Sequence, residues 1–194
     1  MIQAIILAAG RSTRMGEQKL LRPFRGVTMV DFVITTVRSC GFDGTSVVVS
    51  RETMDCLSPV TGADYIVNPN PDRGQDSSFH CALAALPACS SFAVFLADKP
   101  TVTAWQIMEL RRLFESIPTE KNALVPRQNG APGHPAFYAP IWRDRFLGSE
   151  GISRDTLFRY KNDVEWVDAY ESCFLDVDTP EDYRRILEKN IGIE

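Results

Sequence analysis

Short apolar segments alternate along this chain with longer segments in which apolar residues recur at helical spacing. The predicted strands cover residues 2–7, 46–50, 65–67, 92–96, 123–125 and 135–138, and the predicted helices cover residues 29–40, 52–57, 77–86, 103–114, 152–160 and 180–188. Strands that are apolar on both faces and separated by amphipathic helices are typical of a parallel sheet covered on both sides. The pattern therefore predicts an α/β fold.

Two helix starts and one irregular segment can also be predicted. Thr103 is the expected N-cap of one helix. Thr179 is that of the last helix, where Asp182 takes the place that a capping box gives to Glu or Gln. The segment RQNGAPGHP, residues 127–135, is so rich in Gly and Pro that we expect it to lack regular structure and to form a functional loop.

Length and composition limit the classes of protein to consider. A chain of 194 residues with 44% hydrophobic residues and no Gly/Ser-rich linker is expected to form a single domain, residues 1–194. Its net charge of -4 and pI of about 5.3 disfavour binding to nucleic acid or to an anionic membrane. The five cysteines are odd in number and widely spaced, which is typical of reduced thiols. No apolar run is long enough to cross a bilayer, and the first strand is unlike a cleavable signal, so we expect a cytoplasmic protein.

The first predicted strand runs into LAAGRSTRMGEQK, residues 7–19. Gly10 and Gly16 allow backbone N–H groups to turn toward an anion, while Arg11, Arg14 and Lys19 supply positive charge. The GxGxxG pattern is absent, and Lys19 lies three residues beyond Gly16, whereas a P-loop places Lys directly after Gly. We interpret this segment as a phosphate-binding loop of another type.

Acidic residues at two later positions are candidate metal ligands. Asp98 follows the strand 92–96 and is followed by Pro100, which turns the chain away. In the segment DVD, Asp176 and Asp178 lie on one face of an extended chain, just before the last helix. Mg²⁺ is usually held by one or two carboxylates together with substrate phosphates. Asp98 and Asp178 are therefore the predicted magnesium ligands.

The segment NPNPDRGQDSS, residues 68–78, is predicted to be a loop followed by a helix. Gly74 permits close approach of the backbone to a ligand. Ser77 and Ser78 offer hydroxyl and N–H groups at a helix start. We interpret the segment as a contact for a base or a ribose.

The chain has two histidines, His80 and His134, and neither is spaced from a cysteine as zinc ligands are. His80 falls inside a predicted helix and is interpreted as a packed residue. His134, between Gly133 and Pro135, is placed either for a ligand contact or for a hydrogen bond that stabilises its loop.

These motifs resemble those of the MobA-like nucleotidyltransferases, and within them the molybdenum cofactor cytidylyltransferase group. The segments LAAGRSTRMGEQKLL, NPNPDRGQDSS, LADKP, PGHPAFY and DVDTPEDY appear in the family's order and span nearly the whole chain. The resemblance implies a GT-A/Rossmann-like three-layer α/β/α sandwich with a mostly parallel central sheet. It also implies Mg²⁺-dependent transfer of CMP from CTP to a phosphorylated acceptor, a molybdopterin-type cofactor, and a molybdoenzyme or its chaperone as protein partner.

By motif, the resemblance implies roles for individual residues. Arg14 and Lys19 neutralise the phosphates as catalytic residues, and Asp98 and Asp178 bind Mg²⁺. The remaining residues bind the two substrates. The nucleotide is held by Leu7, Ala8, Ala9, Gly10, Arg11, Ser12, Asn68, Gly74, Ser77 and Ser78. The acceptor is held by Gly133, His134 and Pro135. The LAAG form is similar to that of members that use CTP, whereas relatives that use GTP tend to carry a second glycine in place of Ala9.

Two positions depart from the family's pattern. Lys99, where relatives commonly carry Met, Gln or Thr, adds a charge beside the proposed metal ligand Asp98. Ser149, in the segment GSEG at residues 148–151, stands where cofactor-handling relatives usually carry Asp. The transfer chemistry rests on the other motifs, so these differences leave the acceptor open.

Three other functions fit parts of the same pattern. The first is transfer from CTP or UTP to a sugar phosphate, an alcohol phosphate or another small acceptor. The second is a GT-A-like glycosyltransferase, although the basic residues Arg11, Arg14 and Lys19 favour a triphosphate over a nucleotide diphosphate sugar. The third is a regulator that binds a nucleotide without catalysis.

Overall fold

The computed structural model describes residues 1–10, 18–149 and 153–190. Its strands are β1 (Ile2–Ala8), β2 (Pro23–Phe24), β3 (Val27–Thr28), β4 (Gly44–Val49), β5 (Asp64–Val67), β6 (Ser91–Leu96), β7 (Ala123–Gln128), β8 (Ala131–Pro132), β9 (Ala136–Tyr138) and β10 (Val164–Val167). Its helices are α1 (Met29–Arg38), α2 (Arg51–Cys56), α3 (Gln75–Ala85), α4 (Ala104–Glu115), α5 (Ile141–Leu147), α6 (Ser153–Arg159) and α7 (Pro180–Asn190). The predicted strands and helices are confirmed to within a few residues at their ends, and β2, β3, β8, α5 and β10 were not predicted.

The central sheet is mostly parallel, as predicted. Its strands follow the order β10-β7-β9-β6-β1-β4-β5, and β8 pairs with β7 outside this order. β1 runs parallel to β4 and β6, β4 runs parallel to β5, and β7 runs parallel to β10. Only β9 within this order is antiparallel to its described neighbours, β6 and β7.

Alternate residues of β1 enter two separate hydrophobic cores. Ala4, Ile6 and Ala8 pack on the face covered by α1, α4 and α7, while Ile5 and Leu7 pack on the face covered by α3, α5 and α6. Burial on both faces explains why this strand is apolar at nearly every position. The arrangement confirms the predicted three-layer α/β/α sandwich.

Both predicted helix caps are present. At the start of α4, the Gln106 N–H donates to Thr103 Oγ1 at 3.3 Å, and the Thr103 N–H donates to Gln106 Oε1 at 2.9 Å. At the start of α7, the Asp182 N–H donates to Thr179 Oγ1 at 3.1 Å, and the Thr179 N–H donates to Asp182 Oδ2 at 3.0 Å. Asp182 thus completes a capping box in place of Glu.

The prediction that residues 127–135 lack regular structure is wrong. β7 continues to Gln128, and β8 returns beside it after a two-residue turn. The turn residues Asn129 and Gly130 have φ angles of 51° and 78°. Asn-Gly is the pair that best adopts such a turn, so the Gly and Pro content of this segment encodes a hairpin.

The remaining sequence expectations concern cysteines and membrane spans. All five cysteines lie in the described segments and carry free thiols, as predicted. Within the described ranges, no helix combines the length and the apolar character needed to cross a membrane.

Candidate active site

The ends of β1 and β6 lie side by side at the edge of a cleft. Leu7 of β1 pairs with Leu96 of β6, and the Ala97 N–H donates to the Leu7 carbonyl at 3.1 Å. The residues that follow these strands, Gly10 and Asp98, therefore line the same cleft. Ligands of α/β sheets bind at the carboxyl ends of parallel strands, which is where this cleft lies.

Several of the predicted nucleotide and metal contacts line this cleft. They are Leu7, Ala9, Gly10, Gly74, Ser78 and Asp98. Ala8 is instead buried in the core on the opposite face of β1 from Leu7. Three further predicted residues, Arg11, Ser12 and Arg14, lie in segment 11–17, outside the described residues.

Lys19 contacts both predicted metal ligands. Its Nζ donates to Asp98 Oδ2 at 2.7 Å and to Asp178 Oδ1 at 2.9 Å, and its side chain is 9% exposed. Burial by itself lowers the pKa of Lys19, but the Coulombic attraction of Asp98 and the hydrogen bonds to both carboxylates raise that pKa above 10.5. Lys19 is therefore an ammonium ion at neutral pH, and two acids far apart in the sequence converge on it.

The two carboxylates fit a divalent cation. Both reach the same nitrogen atom, so they face one point in space. Asp98 Oδ1 is buried and has no hydrogen-bond partner among the described residues, so its lone pairs remain available to a ligand. Within those residues, no group of three or more His, Cys, Asp or Glu could hold a metal. A metal ion bound by these two carboxylates would take its remaining ligands from water and substrate phosphates, as Mg²⁺ usually does.

A non-regular segment before α7 places Asp178. The side chain of Val177 is fully buried, and its N–H donates to the Asp98 carbonyl at 3.0 Å. Asp176 and Asp178 flank Val177, and each contacts a lysine. Asp178 contacts Lys19 as described above, whereas Asp176 Oδ1 lies 2.7 Å from Lys99 Nζ.

Asn68 organises the loop that precedes α3. Its side chain is 2% exposed, and its Nδ2 donates to Ser77 Oγ at 2.8 Å and to Ser78 Oγ at 2.9 Å. Its Oδ1 accepts the Asn70 N–H at 2.8 Å. Gly74, the N-cap of α3, has a φ of 87°, a conformation that favours glycine. Gly74 and Ser78 thus reach the cleft, while Asn68 and Ser77 make their hydrogen bonds within the loop.

A second cleft adjoins the first, and Leu7 and Gln75 line both. Its walls are mostly apolar and include Phe79, Tyr138, Phe146 and Leu157. The predicted acceptor contacts Gly133 and His134 line this cleft, whereas Pro135 lines a separate small cavity.

His134 makes the stabilising hydrogen bond that the sequence allowed and also lines the second cleft. Its Nδ1 lies 3.2 Å from the Val94 carbonyl oxygen. Burial, together with the charge of Lys99, lowers the pKa of His134 to about 4. The ring is therefore neutral at pH 7, with Nδ1–H donating to Val94 and a lone pair on Nε2. The preceding Gly133 has no room for a side chain, because a Cβ there would lie 2.6 Å from Phe174 Cε1.

Three residues near the clefts were not predicted. Gln75 lines both clefts, and Asp76 Oδ1 accepts the Ser153 N–H at 2.8 Å and also the Ser153 hydroxyl, which joins α3 to α6. Burial raises the pKa of Tyr138, so its hydroxyl stays protonated. Gln75 and Asp76 could have been predicted as cleft residues, because they directly follow Gly74 in the sequence. Tyr138, by contrast, follows a strand pattern that is typical of a core residue.

Comparison with known proteins decides the family. Residues 4–161 match the model of the MobA-like NTP transferase domain. The chain belongs to this family. Molybdenum cofactor cytidylyltransferase of Escherichia coli K12 is 27% identical over 198 residues, which cover 94% of this chain and 93% of that protein.

Solved structures share the fold over nearly the whole length of this chain and of their own. Rv0371c from Mycobacterium tuberculosis H37Rv matches with a TM-score of 0.83 at 26% identity, covering 96% of this chain and 97% of the other. A structure of Rv0371c in complex with manganese matches with a TM-score of 0.73 at 24% identity, covering 96% and 98%. Fold and family together make this MobA-like chain a nucleotidyltransferase.

Proposed function

We propose that this MobA-like chain transfers CMP from CTP to a phosphorylated acceptor of the molybdopterin type and releases pyrophosphate. The observation that carries the proposal is the convergence of Asp98 and Asp178 on Lys19, beside the cleft lined by Gly10. Lys19, at the end of the glycine loop, can bind phosphate oxygens, and Asp98 and Asp178 can bind the metal that chelates a triphosphate. Similarity to the Escherichia coli cytidylyltransferase over 94% of the chain, and the LAAG form of residues 7–10, support CTP and this acceptor.

Each predicted site residue has a role in the proposal. Lys19 and Arg14 act on the phosphates, and Asp98 and Asp178 hold Mg²⁺. The nucleotide is held by Leu7, Ala8, Ala9, Gly10, Arg11, Ser12, Asn68, Gly74, Ser77 and Ser78, with Ala8, Asn68 and Ser77 acting through the backbone or the loop. The acceptor is held by Gly133, His134 and Pro135.

The reaction requires alignment and charge stabilisation more than a nucleophilic side chain. An oxygen of the acceptor phosphate attacks the α-phosphorus of CTP. A new P–O bond forms as the bond from the α-phosphorus to the oxygen bridging the β-phosphate breaks, and the electron pair leaves with pyrophosphate. Lys19 exchanges its carboxylate partners for phosphate oxygens and stabilises the charge that grows on the leaving group. Mg²⁺, when bound, supplies Lewis-acid stabilisation of the same charge.

The two adjoining clefts support a reaction between two ligands. They meet at Leu7 and Gln75, close to the strand ends where the acids lie. In the second cleft, the neutral ring of His134 offers a hydrogen-bond acceptor rather than a charge. Because both hydrophobic cores lie on the two faces of one sheet, we also propose that residues 1–194 form a single nucleotidyltransferase domain.

Pyrophosphate release tests the proposal directly. CTP, UTP, GTP and ATP are each supplied with Mg²⁺ and with molybdopterin, a sugar phosphate or an alcohol phosphate as acceptor. We expect CTP with molybdopterin to give the highest rate. Asp98→Asn is expected to lower that rate by about 100-fold or more. The exposed Asp55→Asn serves as the matched control and is expected to leave the rate unchanged.

Other outcomes would replace parts of the proposal. A preference for UTP and a sugar phosphate would change both donor and acceptor. Normal turnover by Asp98→Asn would contradict the metal assignment. Tight nucleotide binding without turnover for any acceptor would favour a regulator over an enzyme.

A further inference from the structure

Lys99 is a buried cation with a carboxylate partner of its own. Its side chain is 6% exposed, and its Nζ lies 2.7 Å from Asp176 Oδ1. Asp176 is 44% exposed, so the lysine is the more deeply buried member of the pair. A buried ammonium is costly unless a carboxylate stays beside it, so Lys99 constrains where Asp176 can lie.

The backbone at Asp178 is tied to the start of α7, where the Asp178 N–H donates to Asp182 Oδ2 at 3.3 Å. The segment from 175 to 178 belongs to no helix or strand, and no sheet ladder fixes the direction of its side chains. Val177 anchors it through a buried side chain and through its N–H, which donates to the Asp98 carbonyl at 3.0 Å. Asp176 and Asp178 flank this anchor on either side, so the ion pair of Asp176 with Lys99 restricts the chain that carries Asp178.

The two contacts join the same two segments. Lys99 directly follows Asp98, and Asp176 lies two residues before Asp178. The Lys99–Asp176 ion pair and the backbone bond from Val177 therefore hold the chain that carries one acid against the chain that carries the other. From this geometry we propose that Lys99 is a positioning residue, which sets Asp178 opposite Asp98 through Asp176. The inference rests on the proposed function, because it concerns the carboxylates assigned there to the metal.

A purely electrostatic role for Lys99 predicts the opposite effect on metal binding. A positive charge beside two metal ligands repels a divalent cation, so its removal by Lys99→Met tightens binding if charge is all that matters. If Lys99 positions Asp178, the same change releases the segment, and binding weakens. The direction of the change in Mn²⁺ affinity therefore separates the two roles.

Mn²⁺ binding, followed by the electron paramagnetic resonance signal of the free ion, provides the test without any turnover. It is measured in the presence of CTP and without acceptor for the wild type, Lys99→Met, Asp176→Asn and the double variant. We expect each variant to raise the Kd for Mn²⁺ about tenfold. The double variant should be no worse than either single variant, because both changes break one ion pair. Lys161→Met, at an exposed position, is the matched control and should bind as the wild type does.

The double variant keeps the test decisive if Lys99→Met alone does not fold. It removes both charges at once, and replacing a whole ion pair is better tolerated than leaving one buried charge unpaired. Tighter Mn²⁺ binding by Lys99→Met, or wild-type binding by the folded double variant, would overturn the positioning role and leave the proposed function intact. A wild type that binds no Mn²⁺ with CTP would instead overturn the metal assignment itself.

Discussion

Replacing Lys19 by Met removes one charge and leaves a side chain of similar length. In the wild type, the Lys19 ammonium lies 2.7 Å from Asp98 Oδ2 and 2.9 Å from Asp178 Oδ1. After the change, two carboxylates face each other without an intervening cation. We therefore expect the nucleotide-free protein to lose stability, and to regain part of it when a divalent cation is added.

The magnitude follows from the burial of the three groups. Removing one partner of a buried ion pair costs about 3–5 kcal/mol. Asp98 and Asp178 are 23% and 39% exposed, so water takes over part of the role of the ammonium. We expect about half of that cost, ~2 kcal/mol in the free energy of unfolding. For a chain of this size, this loss corresponds to a decrease in Tm of about 4–8 °C.

The pKa of Lys19 also determines how the stability difference between the wild type and Lys19→Met depends on pH. The pKa of Lys19 is raised in the folded protein, so its stabilising effect is fully present below pH 10.5 and is lost as the pH rises through the folded pKa. The Tm difference between the wild type and Lys19→Met is therefore expected to be constant near neutral pH. It should shrink at pH values above 10.5.

Thermal unfolding with and without Mn²⁺ measures both effects. Lys19→Met lacks the ammonium that competes with the metal, so Mn²⁺ should raise its Tm more than that of the nucleotide-free wild type. A tenfold tighter Kd adds about 1.4 kcal/mol when the metal is in excess, or about 3–6 °C in Tm. The exposed Lys161→Met is the control. If Lys19→Met melts with the wild type and responds equally to Mn²⁺, Lys19 does not hold the two acids together.

Three further predictions concern the walls of the clefts. The pKa of His134 is lowered to about 4, so the free energy of unfolding of the wild type should fall by up to about 3 kcal/mol as the pH drops from 6.5 toward 4. Urea unfolding of His134→Gln should show a smaller decline over the same pH range. Gly133→Ala places a Cβ 2.6 Å from Phe174 Cε1 and 3.0 Å from the Cys173 carbonyl oxygen, so we expect a loss of about 1–3 kcal/mol, visible as a lower Tm. Asn68→Ala removes a 2% exposed amide with four hydrogen bonds, one of them from the Cys81 thiol, and should cost about 2–3 kcal/mol. An unchanged Tm would show that the loop does not depend on this amide.

The sheet and the position of the cleft could be predicted because they follow from local patterns. β1 is apolar at nearly every position, which requires helices on both faces, and the ends of parallel strands coincide at one edge of a sheet. Gly10 and Asp98 each lie two residues after the end of a strand, and the two strands are neighbours, so their proximity follows from topology. Asp178 was predicted only as a magnesium ligand, and its contact with Lys19 was not predicted.

The hairpin of β7 and β8 was missed for a specific reason. Gly130 and the neighbouring prolines were interpreted as excluding regular structure, although Asn129-Gly130 is the pair that a tight β-turn requires. α5 was missed as well, although Trp142 and Phe146 are four residues apart and both fully buried or nearly so. In a short helix, two apolar residues are too few for a reliable periodic signal.

The pairing of charged side chains that are far apart in the chain could not be predicted from the sequence. From sequence, Lys99 is a positive charge next to a metal ligand, and nothing local indicates that its partner is Asp176, far away in the chain. The same holds for Asn68, whose amide is directed to Ser77 and Ser78 rather than to the cleft. Such choices depend on which groups the fold buries together, and burial of a charge or an amide requires a partner wherever the chain supplies one.

The pairing of charges also determines how the metal and the nucleotide influence each other. Among the described residues, the cluster contains the ammonium groups of Lys19 and Lys99 and the carboxylates of Asp98, Asp176 and Asp178, and these five groups carry a formal net charge of -1. A divalent cation reverses this sign, which favours a triphosphate, and a triphosphate draws Lys19 away from the carboxylates that the metal needs. Under the proposed function we therefore expect each ligand to favour binding of the other, and by linkage CTP then strengthens Mn²⁺ binding by the same factor as Mn²⁺ strengthens CTP binding. The proposal thus predicts that the metal-nucleotide complex binds better than either component alone.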